Sequence, residues 1–140
     1  MNDSIFHLIR LAERFNDALL IRFYENYSHP IGISSILALH QLHLQGPSKP
    51  TAVAKELGYT PGSITNVANK LINQDYAVRQ YDEQDRRKVL LAITEQGEQA
   101  LTDAQQTGHT LRQALFETLT DKEVEQFLSI YEKLLQQLEK

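Results

Sequence analysis

The tetrad Asp85-Arg86-Arg87-Lys88 sets three cations side by side, with a carboxylate two residues before Arg87. A guanidinium is a planar, donor-only fork that meets carboxylates and phosphates through paired hydrogen bonds. An anion is therefore the ligand this cluster suits. Asp85 can hold the Arg87 guanidinium in one orientation, and an arginine so presented fits a narrow minor groove, where negative potential is enhanced. Two short β-prone runs, 78–81 and 89–93, flank the cluster and place the cations at the tip of a hairpin.

A second constellation lies just upstream. Thr60 can cap a helix whose first position is Pro61, and Ile64, Val67, Ala68 and Leu71 follow at the spacing of a buried stripe. At about 100° per residue, Gly62, Asn66, Asn69 and Asn73 project from the opposite side, flanked by Thr65 and Lys70. That face carries no large apolar side chain and no acid. An asparagine amide donates and accepts at once, which matches N7 and N6 of adenine. Thr60, Ser63 and Thr65 can bond phosphates or meet thymine methyls, and the free amides of the helix start can hold a phosphate. Asparagine is a poor helix former, so three on one outward face are costly if they serve only to solubilise it.

The remaining elements position these two. A helix over 3–26 is apolar on so many sides that it needs more than one packing partner. A second helix over 34–45 takes Ser34 or Ser35 as its cap and ends at Gly46-Pro47, and a short third helix runs from Pro50 to Gly58. Thr94 caps a long helix to about Phe116. Thr120-Asp121-Lys122-Glu123 is a capping box for a last helix, on which Val124, Phe127, Leu128, Tyr131, Leu134, Leu135 and Leu138 keep heptad-like spacing. The expected fold class is mainly α with a small β-hairpin wing: a winged helix-turn-helix plus a helical lobe. The groove-reading helix spans 61–74 and the wing 79–93.

Composition agrees with a folded single domain of 140 residues, 41% hydrophobic and 23% charged. No apolar run approaches the roughly 18 residues that span a bilayer, and Met1-Asn2-Asp3-Ser4 does not open a signal peptide. Cysteine is absent, which excludes disulfides, thiolate nucleophiles and cysteine-based oxidant sensing. The expected location is the cytoplasm, with no membrane partner. Net charge is −4, yet residues 48–90 hold seven cations against five anions, so a locally basic segment lies between acidic flanks. At +2 this segment is only modestly basic, so useful affinity calls for two copies acting together.

These motifs resemble the MarR (multiple antibiotic resistance regulator) family of bacterial transcription factors. The likeness spans nearly the whole chain. It is most specific in residues 85–97, where Asp85-Arg86-Arg87 looks like the family's Asp-x-Arg wing element and Ile93-Thr94-Glu95-Gln96-Gly97 like its entry into the next helix. Residues 51–57 and the helix from Pro61 match the two helix-turn-helix elements. The resemblance implies one MarR-like domain over 1–140, with dimerisation helices in 1–32 and 95–140 and the DNA-binding lobe in 33–94. It implies a homodimer on a pseudo-palindromic operator in double-stranded DNA, acting as a repressor relieved by a small-molecule effector. The DNA contacts would be Thr60, Pro61, Gly62, Ser63, Thr65, Asn66, Asn69, Lys70, Asp85, Arg86, Arg87 and Lys88. Effector candidates by rough location are Phe15, Tyr24, His40, His43 and Arg112, all of types that also pack in cores or lie on surfaces.

Two alternatives stand beside that expectation. A winged-helix module can bind protein instead of DNA, and the acidic total leaves room for it. A metal-responsive regulator would use His40 and His43, spaced i, i+3, with His7, His29 or His109. No carboxylate is fixed beside that pair, so no metal site is assigned. No cofactor is expected. No nucleophile–base pair, phosphate loop or carboxylate pair stands out, so no catalytic residue is assigned and the chain is not read as an enzyme.

Overall fold

The computed structural model describes residues 2–140; Met1, which opens the expected 1–32 segment, lies outside them. The order of elements is α1 (Asn2–Asn26), α2 (Ile33–Gln45), α3 (Pro50–Leu57), α4 (Pro61–Asn73), β1 (Ala77–Tyr81), β2 (Val89–Ile93), α5 (Glu95–Phe116) and α6 (Asp121–Leu138). Packing divides the chain into two compact units. One holds residues 27–106 and the other 1–26 with 107–140.

The 27–106 unit is built around Leu39 and Leu42 of α2, Val53 of α3, Leu71 of α4 and Leu91 of β2, all fully buried. Each comes from a different turn or strand, so α2, α3, α4 and the hairpin close on one core. β1 and β2 pair antiparallel, with Ala77 opposite Ile93 and Tyr81 opposite Val89. The hairpin begins at Ala77, one residue ahead of the expected 78, because Tyr76 and Ala77 are drawn into the core. Ser48 adds a short third edge by exchanging both backbone hydrogen bonds with Leu91, at 3.0 and 2.8 Å.

Helix ends show where local chemistry decides and where it does not. Thr60 accepts from the Ser63 amide and Pro61 occupies the first turn, as their types require. Thr120 and Glu123 form the full reciprocal capping box. The expected cap at Ser34 or Ser35 is corrected: α2 starts one residue earlier, at Ile33, and Gly32 occupies the cap with no side-chain bond. Its carbonyl instead accepts from the Ser35 and Ile36 amides, while Ser35 itself is buried. α4 ends at Asn73, with Asp75 in the left-handed region at φ 65°. The Asp75 amide donates to Ile72 and the Tyr76 amide to Leu71, the two crossed bonds of a Schellman turn. This turn buries Tyr76 and launches β1.

Residues distant in sequence close the unit. The Tyr27 hydroxyl donates to the Ala100 carbonyl at 2.8 Å. His29 sits between Asp103 Oδ2, 2.7 Å from Nε2, and the Tyr76 hydroxyl, 3.0 Å from Nδ1. A carboxylate only accepts, so Nε2 carries the proton, and in the neutral ring Nδ1 accepts from Tyr76. These contacts carry the packed unit beyond residues 33–94 at both ends.

The His29 hydrogen bond, followed by that from Gln99, holds the Asp103 carboxyl below the usual aspartate range. A carboxylate depressed in the folded state contributes stability above its unfolded pKa of about 4 and loses it as pH falls through the folded value. In urea titrations across pH, wild type should therefore exceed Asp103→Asn in stability at neutral pH, and the margin should shrink on acidification below about 4. A margin that persists down to pH 2 would show that the carboxylate charge is not its source.

The second unit is helical. Its α6 stripe lies open, with Leu128 57%, Tyr131 56%, Leu135 51% and Leu138 82% exposed. Ile5, Phe6, Leu8, Ile9 and Ile21 of α1 are also exposed. An apolar cavity of about 860 Å³, lined by Leu11, Phe15, Ile21, Phe116, Phe127 and Tyr131 among others, opens within this unit. No described helix is long and apolar enough to cross a membrane.

Candidate nucleic-acid interface

α4 buries Ile64, Val67, Ala68 and Leu71 and leaves Thr60, Pro61, Gly62, Thr65, Asn66, Asn69 and Lys70 exposed, with Ser63 half-buried. The helix is thus anchored by one stripe and free along the other. Its one charged residue is Lys70. The Thr65 hydroxyl donates to the Pro61 carbonyl of its own helix at 2.9 Å, so its proton is spent there and its methyl remains for an apolar contact. Gly62 has open space around its Cα, and a backbone this bare permits close approach by a ligand.

At the wing tip the Asp85 carboxylate accepts from Arg87 three times: from the backbone amide at 3.1 Å, from Nε at 3.1 Å and from Nη2 at 3.4 Å. The side-chain hydrogen bond from Arg87, then the backbone one, keeps the Asp85 carboxyl below its ordinary range. Arg87 is 92% exposed while so held. Its guanidinium is oriented before any ligand arrives, which removes part of the ordering cost of binding. Arg86 and Lys88 are exposed beside it. The tip is shaped locally: the Gln84 amide donates to Asp82 Oδ1, and the Asp82 and Lys88 amides close the turn on the Lys88 and Asp85 carbonyls.

One contact joins helix and hairpin on this surface. Arg79 of β1 donates from Nη2 to Asn69 Oδ1 at 3.2 Å. Thr65, Asn69 and Ile72 line a cleft of about 160 Å³ against Arg79 and residues 89–91. Arg79 is absent from the residues expected from sequence. Its charge was visible there, but its reach to Asn69 depends on how the hairpin packs.

The effector candidates fall in both units. Phe15 lines the cavity of the helical unit. Tyr24 of that unit meets Phe23 edge-on at 5.1 Å, and burial pushes its hydroxyl pKa up. Arg112 passes close to Gly108 on its own helix. In the other unit, His43 Nδ1 donates to Glu98 Oε2 at 2.7 Å, tying α2 to α5, and His40 is half-buried. Among the described residues no three His, Cys, Asp or Glu side chains gather in a way that could hold a metal.

An anchored helix with a polar outer face, followed by a hairpin with an oriented arginine, defines a winged helix-turn-helix. Residues 31–89 match the MarR family. The helix-turn-helix-type transcriptional regulator YpoP of Bacillus subtilis is 30% identical over 96 residues, covering 69% of this chain and 68% of that one. A MarR family protein from Bacillus stearothermophilus superposes with a TM-score of 0.82 at 19% identity, over 100% of this chain and 99% of that one. The PcaV regulator of Streptomyces coelicolor, in complex with its natural ligand, gives 0.68 at 19% identity over 90% and 89%. The chain belongs to the MarR family of helix-turn-helix, DNA-binding transcriptional regulators.

Proposed function

We propose that this regulator is a homodimeric repressor that reads a pseudo-palindromic operator, with α4 in the major groove and the wing at the neighbouring minor groove. The observation that carries the reading is the exposed Arg87 guanidinium clamped by Asp85. A surface arginine used only for solubility gains little from such a clamp, whereas one that enters a narrow groove gains orientation. Thr60 to Lys70 supply the helix contacts and Asp85 to Lys88 the wing contacts. The 27–106 unit is the DNA-binding lobe. The helical unit is the dimerisation lobe, because its α1 and α6 faces leave many large apolar side chains open to solvent. The regulator works in the cytoplasm, where the DNA is, and has no catalytic role.

Relief by a small molecule is proposed on the precedent of PcaV, which was captured with its natural ligand. Phe15, on the wall of the helical unit's cavity, is the contact best placed within that unit.

The test is titration of a duplex from upstream of its own coding region, followed by fluorescence anisotropy across salt concentrations. Affinity should fall steeply with salt. Arg87→Ala should weaken binding about 100-fold, since a charged hydrogen bond contributes about 1.5 kcal/mol and the dimer loses two. Equal affinity for wild type and variant, with both folded, would remove the wing from the interface.

A further inference from the structure

We propose that Arg79 is a positioning residue for base recognition: it fixes the Asn69 side-chain amide so that its NH2 group, and not its oxygen, is the group offered to a base. The proposal deepens the recognition-helix reading above and rests on it.

An asparagine amide has two nearly isosteric orientations, and the one adopted decides whether it offers a donor or an acceptor at a given point. The neighbour settles the choice here. A guanidinium has five donors and no acceptor, so only the amide oxygen can face it. Arg79 Nη2 lies 3.2 Å from Asn69 Oδ1. Either nominal assignment of the amide atoms leads to the same result, because an NH2 group turned to Arg79 would set donor against donor.

The backbone makes this pairing inherent to the fold. Ala77 and Arg79 share one face of β1, since side chains two apart point the same way. Ala77 is fully buried, so that face turns inward over the core while Arg79, further out, remains exposed. On α4, Asn69 follows buried Ala68 and lies with Thr65 and Ile72 on the flank that lines the cleft to the hairpin. The Arg79 side chain crosses that cleft. Asn66 and Asn73 lie further round the helix.

A free asparagine can match adenine by accepting from N6 and donating to N7. With its oxygen held by Arg79, Asn69 meets a base foremost as a donor. Guanine presents two major-groove acceptors, O6 and N7, and thymine presents O4. Adenine keeps N7 as its one acceptor and sets its N6 donor beside the Asn69 NH2, so the second bond of the bidentate match is lost. The arginine therefore changes what the asparagine reads, disfavouring adenine at one position in each half-site without touching a base.

The experiment is selection from a random-sequence duplex pool by the full-length protein, with wild type, Asn69→Ala, Arg79→Ala, Arg79→Lys and the double alanine variant compared. Asn69→Ala should relax preference at one base position per half-site. Arg79→Ala should relax the same position and enrich adenine there, with discrimination against adenine falling about tenfold. The double variant should match Asn69→Ala, because the two side chains act as one unit. Arg79→Lys keeps a donor and no acceptor and should retain most of the wild-type preference, a rescue that mere surface packing does not explain. If Asn69→Ala leaves every position unchanged, Asn69 reads no base, and both the recognition assignment and this inference fall. If Asn69→Ala relaxes a position that Arg79→Ala leaves intact, the recognition assignment stands and the positioning role is overturned. A uniform loss of affinity in Arg79→Ala, with the salt slope reduced by about one, would make Arg79 a phosphate contact and also overturn it.

Discussion

Replacing Leu135 with glutamate is expected to halve the particle mass in solution and to weaken duplex binding at least 100-fold, the lower end of what linking two binding modules gains. Leu135 is 51% exposed in the single chain, with Leu128 about two turns before it on the same stripe and Leu138 82% exposed beyond. A lone helix has no reason to keep leucines at this spacing toward water, and a second copy is the occupant that the stripe's own repeat suits. In a two-fold interface each substitution acts twice, so one change buries two carboxylates among apolar side chains and sets like charges in one patch. The helix should tolerate it, because glutamate is a good helix former and the capping box at Thr120 and Glu123 is remote from the site. Light scattering reads the mass, and anisotropy on a selected duplex reads the binding. The two readouts are linked by charge: residues 48–90 carry only two more cations than anions, too few for one lobe to hold a duplex tightly. A dimer-sized Leu135→Glu particle that binds as wild type would place the interface elsewhere.

The elements that were legible in the sequence are those whose ends are punctuated by residues with one physical use. Thr60-Pro61, Gly58, Gly46 and the Thr120–Glu123 box each mark a helix boundary within a residue or two. The α6 stripe was equally visible from its period, although exposure in the single chain is not something periodicity can report. Failures cluster where the backbone or a distant partner acts. Two serines made α2 look side-chain capped, yet the glycine carbonyl before them does that work. No glycine marks the end of α4, because Asp75 takes the left-handed position itself, a conformation that aspartate tolerates better than most residues. The wing pair Asp85–Arg87 was readable because its members are two residues apart. The Arg79–Asn69 contact was not, since its ten-residue separation spans a helix end and a turn whose geometry only folding sets. His29 and Asp103, 74 residues apart, lie further still beyond any local pattern.

Gly97→Ala should destabilise the protein by about 3 kcal/mol, although alanine is normally the better helix residue by about 1 kcal/mol. Gly97 is buried in the first turn of α5, and its amide donates to the Thr94 cap oxygen at 3.0 Å. A Cβ there would overlap the Tyr76 carbonyl oxygen and lie 2.7 Å from Ile93 Cγ1. The carbonyl cannot yield cheaply. It accepts from the Thr94 amide at 3.1 Å, and the Tyr76 amide is held by the Leu71 carbonyl at 2.9 Å in the turn that ends α4. Moving it disturbs α4, β1 and the start of α5 together. The glycine of Thr94-Glu95-Gln96-Gly97 is thus needed for close approach of backbone to helix, not for an unusual dihedral angle. Gly62→Ala provides the contrast. It also sits in a first helical turn, but nothing lies within 4 Å of its added Cβ, so it should raise stability by about 0.5 kcal/mol. Urea unfolding followed by circular dichroism measures both, and about 3 kcal/mol corresponds to a fall in Tm of roughly 10 °C or more. Should Gly97→Ala prove as stable as wild type, the Tyr76 carbonyl must have room to move that its hydrogen bonds argue against. A stabilised Gly97→Ala would mean that helix propensity outweighs the overlap, and that the glycine is not required by packing.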